Sequence, residues 1–271
     1  LPMAATVHDL NFVHQPEGIP KAVGSYYRRV VARSAVEANA LLTVSETTRA
    51  DLIKTYPLGG KKITLASNAP QQNFTPKPEV GLAARQRWAG GLPYFLFVGA
   101  FTPRKNIATL LRAFEQHQAR NPERREALVL VGNPLHRDSE LLELARRAGP
   151  RVHWVGRIEG SELNDLYSGA LAFAFPSRFE GFGIPLVEAM ASGCPLLSSN
   201  ASCMPEIAGD AARYADPDDV EAWTGLLYRA ATEDPGPWIQ RGLERAALFS
   251  WDRSAEQVHQ TLLELLATPR Q

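Results

Sequence analysis

The chain has little of what would tie it to several common protein classes. It has two cysteines in 271 residues, Cys194 and Cys203. That is too few for a disulfide framework and points to a reducing compartment. Its 29 Lys and Arg balance 29 Asp and Glu, so no net charge draws it to nucleic acid. Arginines do cluster, at Arg28, Arg29 and Arg33, at Arg124 and Arg125, and at Arg146 and Arg147. These read as solvated helix faces rather than a polyanion site. No apolar run approaches the roughly 20 residues that cross a bilayer. The opening Leu1-Pro2-Met3-Ala4-Ala5-Thr6 has neither the basic start nor the apolar core of a signal peptide. No group of His, Cys and carboxylates has metal-site spacing. Asp216-Pro217-Asp218 precedes a helix expected over 220–231, where aspartate serves as a cap.

What is present is alternation. Apolar runs suited to buried strands occur at 3–7, 41–44, 63–66, 93–99, 127–131, 151–156, 171–175 and 195–198. Between them, helical periodicity appears at 21–37, after the cap Ser45, and at 82–88, 107–118, 139–148, 162–168, 185–191, 220–231 and 251–266. This pattern argues for α/β architecture with a doubly wound parallel sheet from 94 to 214. Prolines and glycines thicken between 70 and 93, as in a linker. In the helix at 21–37, Val23, Tyr26, Tyr27, Val30, Val31 and Ser34 recur near helical spacing, and core packing is expected of them ahead of the alternative that the tyrosines touch an acceptor or a membrane surface. In the last helix, Val258, Leu262, Leu265 and Leu266 form the expected apolar stripe.

The densest chemistry lies in residues 171–200. A buried strand ends at Pro176-Ser177, and a turn of small residues, Glu180-Gly181-Phe182-Gly183, leads to Pro185 and a helix ended by Gly193. The free amides of Phe182 to Ile184 at that helix start favour an anion. Glu188 is expected in the first helical turn, able to accept hydrogen bonds from a diol such as ribose. Glu180 lies ready for a second polyhydroxylated group. A nucleoside diphosphate sugar satisfies all three features. A second anion site is expected where a strand ends at Gly99 and Arg104-Lys105 precede the helix at 107. His8, at the carboxyl end of the first strand, can donate to a sugar hydroxyl or phosphate.

With its flanks, FPSRFEGFGIPLVEAMASGCP resembles the retaining glycosyltransferases of family 4, whose GT-B fold sets two Rossmann-like domains across a cleft. The resemblance covers nearly the whole chain and is strongest at 97–106 and 173–206. It implies an incomplete N-terminal acceptor-side domain at 1–75, with roughly 100 residues, a typical domain's worth, absent from its front. A nucleotide-sugar-binding domain follows at 76–248, and a C-terminal helical segment at 249–271 crosses back to the first. By the same resemblance Glu180 lies by the donor sugar and Glu188 binds the ribose. Lys105 neutralises the diphosphate. Arg104, in a PRKN variant, stands in for the Arg that relatives carry where this chain has Ala100. His8, in TVHDLNFVHQPE, lies in the cleft with Asp9 as its structural neighbour, and His14 matches a second histidine of less defined duty. The backbone near Ile158 meets the nucleotide base. SNAPQQNFTP departs from the turn usual in relatives, with no consequence drawn.

The function implied is metal-independent transfer of a hexose, mannose first, with retention. The donor is GDP-mannose or a UDP-sugar, no further cofactor is implied, and the acceptor is a glycan or lipid-linked hydroxyl in polysaccharide or glycolipid assembly. The setting implied is cytoplasmic, with peripheral membrane contact left open. Two other readings stay open: a non-catalytic nucleotide-binding module or inactive fragment, and a sugar-nucleotide epimerase, for which no paired acids and histidine are evident.

Overall fold

A computed structural model describes residues 2–133 and 139–267. Pro134, expected to close the turn after the strand at 127–131, lies outside the described residues.

Two parallel sheets carry the chain. The first joins β1 (Ala4–Val7), β2 (Ala40–Thr43) and β3 (Ile63–Leu65) in that order. The second contains β4 (Tyr94–Val98), β5 (Ala127–Val131), β6 (Val152–Gly156), β7 (Ala172–Phe175), β8 (Leu196–Ser199) and β9 (Ala212–Ala215). Its spatial order is β6-β5-β4-β7-β8-β9, with every neighbouring pair parallel. The eight strands β1 to β8 start and end within two residues of their expected places, because runs such as Tyr-Phe-Leu-Phe-Val are apolar on both faces and suit only a sheet covered on both sides.

The strand period of two divides those runs between two cores. Tyr94, Leu96, Val129, Phe173 and Phe175 face one, with the helices Gly160–Gly169 and Ile184–Ala191. Phe95, Phe97, Leu128, Leu130 and Ala174 face the other, with the helices Ile107–Arg120 and Val220–Thr232. The sheet is thus doubly wound, as expected.

Several local expectations are corrected. The helix Lys21–Glu37 fully buries only Gly24 and Ala35. Val31 packs against the core of the three-stranded sheet as expected, but Tyr26 is 62% exposed, and Val23, Tyr27 and Val30 are exposed with it. The helix Trp251–Ala267 buries Thr261, while Leu262 and Leu266 are exposed. It docks on β3 by a polar contact, the Thr261 hydroxyl donating to Thr64 Oγ1 at 2.9 Å, with Lys62 paired to Glu264. Arg124 is not on a helix face. It binds the buried Glu126 carboxylate and the Ala231 carbonyl, tying β5 to the far end of Val220–Thr232. The cap of that helix is Asp219, which accepts from the Ala222 amide. Asp218 instead pairs with Arg178. Helices at Met204–Ala208 and Gly236–Ala246 are additions to the expected set.

Candidate functional site

Strands β4 and β7 are neighbours, but the chain leaves them in opposite directions along the sheet. Loops beyond their carboxyl ends therefore diverge and leave a crevice, where open α/β sheets bind ligands. The loop after β4 carries Arg104 and Lys105 in a single 3-10 turn, Pro103–Lys105. The loop after β7 carries Glu180 and the glycine turn. Arg178 stitches the two together: its amide donates to the Arg104 carbonyl at 2.8 Å and its guanidinium to the Pro103 carbonyl at 2.9 Å.

At the crevice Glu180 is 7% exposed and meets two cations. Its Oε2 lies 2.7 Å from an Arg104 guanidinium nitrogen and its Oε1 2.7 Å from Lys105 Nζ. Lys105 Nζ also sits 4.5 Å above the Phe175 ring centroid, a cation–π contact that offsets part of its lost hydration. Burial opposes ionisation of Glu180, but Lys105 and Arg104 outweigh it and hold the carboxyl below its ordinary range. Burial, reinforced by Arg104, pulls the Lys105 ammonium below its ordinary range despite Glu180. With all three ionised the cluster carries one net positive charge, held in a low-dielectric setting where it acts strongly. Gly99 lies against the Lys105 stem, as a Cβ there would come 3.5 Å from Lys105 Cε.

The glycine turn explains its own composition. A Cβ on Gly181 would lie 2.0 Å from the His8 carbonyl oxygen, so only glycine lets the first sheet's loop approach. Gly183 has φ 85° and caps the helix Ile184–Ala191, with Pro185 in the first turn, as expected from glycine's access to that region. The Phe182 ring is buried edge-on against Phe249, centroids 5.4 Å apart, which leaves its backbone, rather than its ring, for a ligand.

His8 is exposed at this crossing, and Asp9 accepts from the Asn11 amide at 2.9 Å, a local structural bond. His14 pairs with Asp51 at 2.8 Å and lies against the Phe179 ring. The structure therefore brings together Arg104, Lys105 and Glu180, with the His8 backbone against Gly181 beside them.

Glu188 is the fifth residue of Ile184–Ala191, one residue farther along than expected, because the helix begins at Ile184. It is 8% exposed, and the Tyr167 hydroxyl donates to its Oε2 at 3.3 Å. Burial drives its pKa up to about 7, and the Tyr167 bond only partly offsets this. Ile158 is half-buried against the apolar cluster that contains Phe182, in the loop beyond β6.

The family model described as Glycosyl transferases group 1 matches residues 82–235. The chain belongs to this family of glycosyltransferases. Over 262 residues this glycosyltransferase is 34% identical to "O-antigen chain mannosyltransferase B" of Escherichia coli, covering 93% of this chain and 68% of that protein. It is 28% identical to "O-antigen chain mannosyltransferase RfbU" of Salmonella typhimurium, covering 96% and 69%. Among solved structures, sucrose-phosphate synthase of Thermosynechococcus elongatus superposes with TM-score 0.78 at 26% identity, covering 97% of this chain and 68% of that one. Anabaena HepE, solved with UDP and glucose, superposes with TM-score 0.80 at 18% identity, covering 96% and 71%. The likeness establishes the GT-B fold for the glycosyltransferase.

Sequence reasoning missed three residues that frame the site, Tyr167, Ser202 and Glu206, and named Ser45 correctly as a cap without its bond to Gly181. Ser45 donates to the Gly181 carbonyl at 2.6 Å and Ser202 to the Glu180 carbonyl at 2.7 Å. A signal for the helix carrying Glu206 was present: Pro205 sits in its first turn, as Pro185 does in the helix after the glycine turn.

Proposed function

We propose that this glycosyltransferase moves a hexose, mannose first, from a nucleoside diphosphate sugar to a hydroxyl acceptor with retention of anomeric configuration, in polysaccharide or glycolipid assembly. The observation that carries this reading is the meeting of Arg104, Lys105 and Glu180 beside a glycine turn at the switch point of a parallel sheet. The similarity to two O-antigen chain mannosyltransferases supports mannose, and hence GDP-mannose ahead of a UDP-sugar.

In this reading the donor diphosphate lies between the net positive cluster and the amides of Phe182 to Ile184. As the bond from anomeric carbon to phosphate oxygen breaks, its electron pair leaves with the diphosphate. The fixed cations and amides stabilise that charge without rearranging. The acceptor oxygen attacks the same face, and its proton passes to a phosphate oxygen of the departing group. Glu180 keeps Arg104 and Lys105 aligned and borders the sugar, and His8 donates to it from the first sheet. Glu188 receives the ribose hydroxyls, and the loop at Ile158 borders the base. Catalysis is metal-independent because Arg104, Lys105 and the helix start supply the positive charge. The setting is cytoplasmic, and a lipid-linked acceptor would bring the protein to a membrane face. No helix among the described residues is long and apolar enough to cross one.

The test is calorimetric titration with GDP, UDP and ADP, then transfer from the matching nucleotide sugar with the product's anomeric configuration read by NMR. Preferred binding of GDP and an α-mannoside from GDP-α-mannose are expected. Binding without transfer to any acceptor, or an inverted product, would overturn it.

A further inference from the structure

We propose that Glu206 is a positioning residue that latches the first sheet onto the catalytic turn and so sets the distance between His8 and Glu180. The proposal rests on the transferase reading given above and deepens it.

The Glu206 carboxylate caps a helix that belongs to the other sheet. Its Oε1 accepts from the Glu46 amide at 2.7 Å, and its Oε2 accepts from the Thr47 amide at 2.8 Å and the Thr47 hydroxyl at 2.7 Å. These are the first residues of the helix Glu46–Thr55, where free amides and the dipole favour a carboxylate. That helix already has its own cap, Ser45, which accepts from the Thr48 amide at 3.0 Å. Glu206 therefore adds a second cap that reaches across the molecule.

These contacts close a ring around the catalytic turn. From Glu206 the ring runs to Glu46 and Thr47, and through Ser45 to the Gly181 carbonyl. Gly181 follows Glu180, whose carbonyl accepts from Ser202 at 2.7 Å. Ser202, held at φ 51°, stands two residues before the helix Met204–Ala208 that carries Glu206. The ring crosses between the sheets twice, once at Ser45–Gly181 and once at Glu46 and Thr47 with Glu206. Thr48 lies within the ring and donates to the Gly181 carbonyl at 3.3 Å. The His8 carbonyl sits so close to Gly181 that a Cβ would come within 2.0 Å of it. Opening the Glu206 crossing leaves the helix start at Ser45 and Thr48 held only through the Gly181 carbonyl, while the contacts of His14 with Phe179 and of Thr261 with Thr64 join the sheets farther from the turn. Every contact that the proposed donor's diphosphate and ribose make lies on the second sheet, so nucleotide binding does not need the latch, whereas alignment of His8 and the acceptor does.

The experiment compares the wild-type chain with Glu206→Ala, Glu206→Gln and Thr47→Val, measuring kcat, KM for the sugar nucleotide, calorimetric Kd for GDP and NMR hydrogen exchange of the Glu46 and Thr47 amides. For Glu206→Ala we expect kcat to fall about ten- to a hundredfold, the range that an ångström-scale misplacement produces. The GDP Kd should stay within twofold, and both amides should exchange faster. Glu206→Gln, which keeps one acceptor oxygen, should recover part of kcat, and Thr47→Val should lose less than Glu206→Ala. A Glu206→Ala kcat within twofold of wild type would overturn the proposal. So would a loss of GDP affinity and melting temperature in step with kcat, which marks a merely structural role. Should the wild-type chain transfer no sugar, the transferase reading fails instead. The latch is then judged on exchange alone: faster exchange at 46 and 47 in Glu206→Ala upholds it, and unchanged exchange overturns it.

Discussion

The Ser45 hydroxyl donates to the Gly181 carbonyl at 2.6 Å across 136 residues of sequence. One small side chain thus caps a helix of the first sheet and fixes the peptide that follows Glu180 in the second. The glycine turn is held from both sheets, and its geometry depends on how closely they approach.

Gly181→Ala tests that approach. The added methyl would lie 2.0 Å from the His8 carbonyl oxygen and 2.8 Å from Asp9 Cβ. Its closest neighbour is backbone, which cannot rotate away as a flexible side chain would. We expect a loss of about 1–3 kcal/mol in stability, the usual cost of overpacking, and at least a hundredfold loss of transfer. Chemical denaturation and steady-state kinetics on the variant check both. Wild-type kinetics would show that the two sheets need not meet at this point.

Glu180 is expected to behave as half of a charge-compensated unit. Glu180→Ala strands the buried Lys105 ammonium, and breaking such a buried pair costs about 3–5 kcal/mol. The double variant Glu180→Ala with Lys105→Met removes both charges, leaves an apolar chain over Phe175, and should regain most of that stability. Neither variant should transfer sugar. Urea titration of the two single variants and the double variant supplies the coupling energy. Additive losses would mean that the pair at 2.7 Å contributes nothing.

Much of this site was legible in the sequence, for a physical reason. Strands buried on both faces leave long apolar runs, and the loops that end β4 and β7 carry charge beside glycine, so Arg104, Lys105 and Glu180 could be named together. What was not legible is pairing between remote segments. Nothing near Ser45 announces Gly181, and nothing near Glu206 announces Glu46 and Thr47, because each side of those bonds looks like an ordinary cap. Helical spacing likewise shows that Tyr26 and Tyr27 share a stripe without showing what the stripe meets, and here it meets solvent. Glu188 falls one residue deeper in its helix than expected because Pro185 marks a helix start only to within a residue or two.

Chelation offers a direct test of how the leaving group is stabilised. If Arg104 and Lys105 supply the positive charge, transfer measured in excess EDTA should stay within about twofold of the untreated rate, while Lys105→Met should lower kcat by a hundredfold or more, as loss of a preorganised charge-stabilising group does. Activity that vanishes with EDTA and returns with a divalent cation would assign that task to a metal.

Glu188 should pull stability and ligand binding in opposite directions with pH. Its carboxyl is raised from an ordinary 4.5 to about 7 by burial. In the unfolded chain it ionises above 4.5, while in the folded chain it keeps its proton until near 7. The folded state therefore loses stability as pH rises from 4.5 to 7 and levels off above that, by about 3 kcal/mol for a shift of this size. Glu188→Gln, which never ionises, should remove this slope and be more stable than wild type at pH 8. Nucleotide binding has the opposite sign, because ribose hydroxyls donate to the ionised carboxylate. The wild-type GDP Kd should weaken below pH 7, approaching tenfold per pH unit, and in Glu188→Gln it should be weak and flat across the same range. Tyr167→Phe, which removes the hydroxyl donor at 3.3 Å, should move the wild-type midpoint upward. Calorimetry from pH 5.5 to 8.5 on the three proteins, beside denaturation curves at the same pH values, reads both effects. A wild-type Kd that is flat with pH, or unchanged affinity in Glu188→Gln, would remove Glu188 from the ribose site.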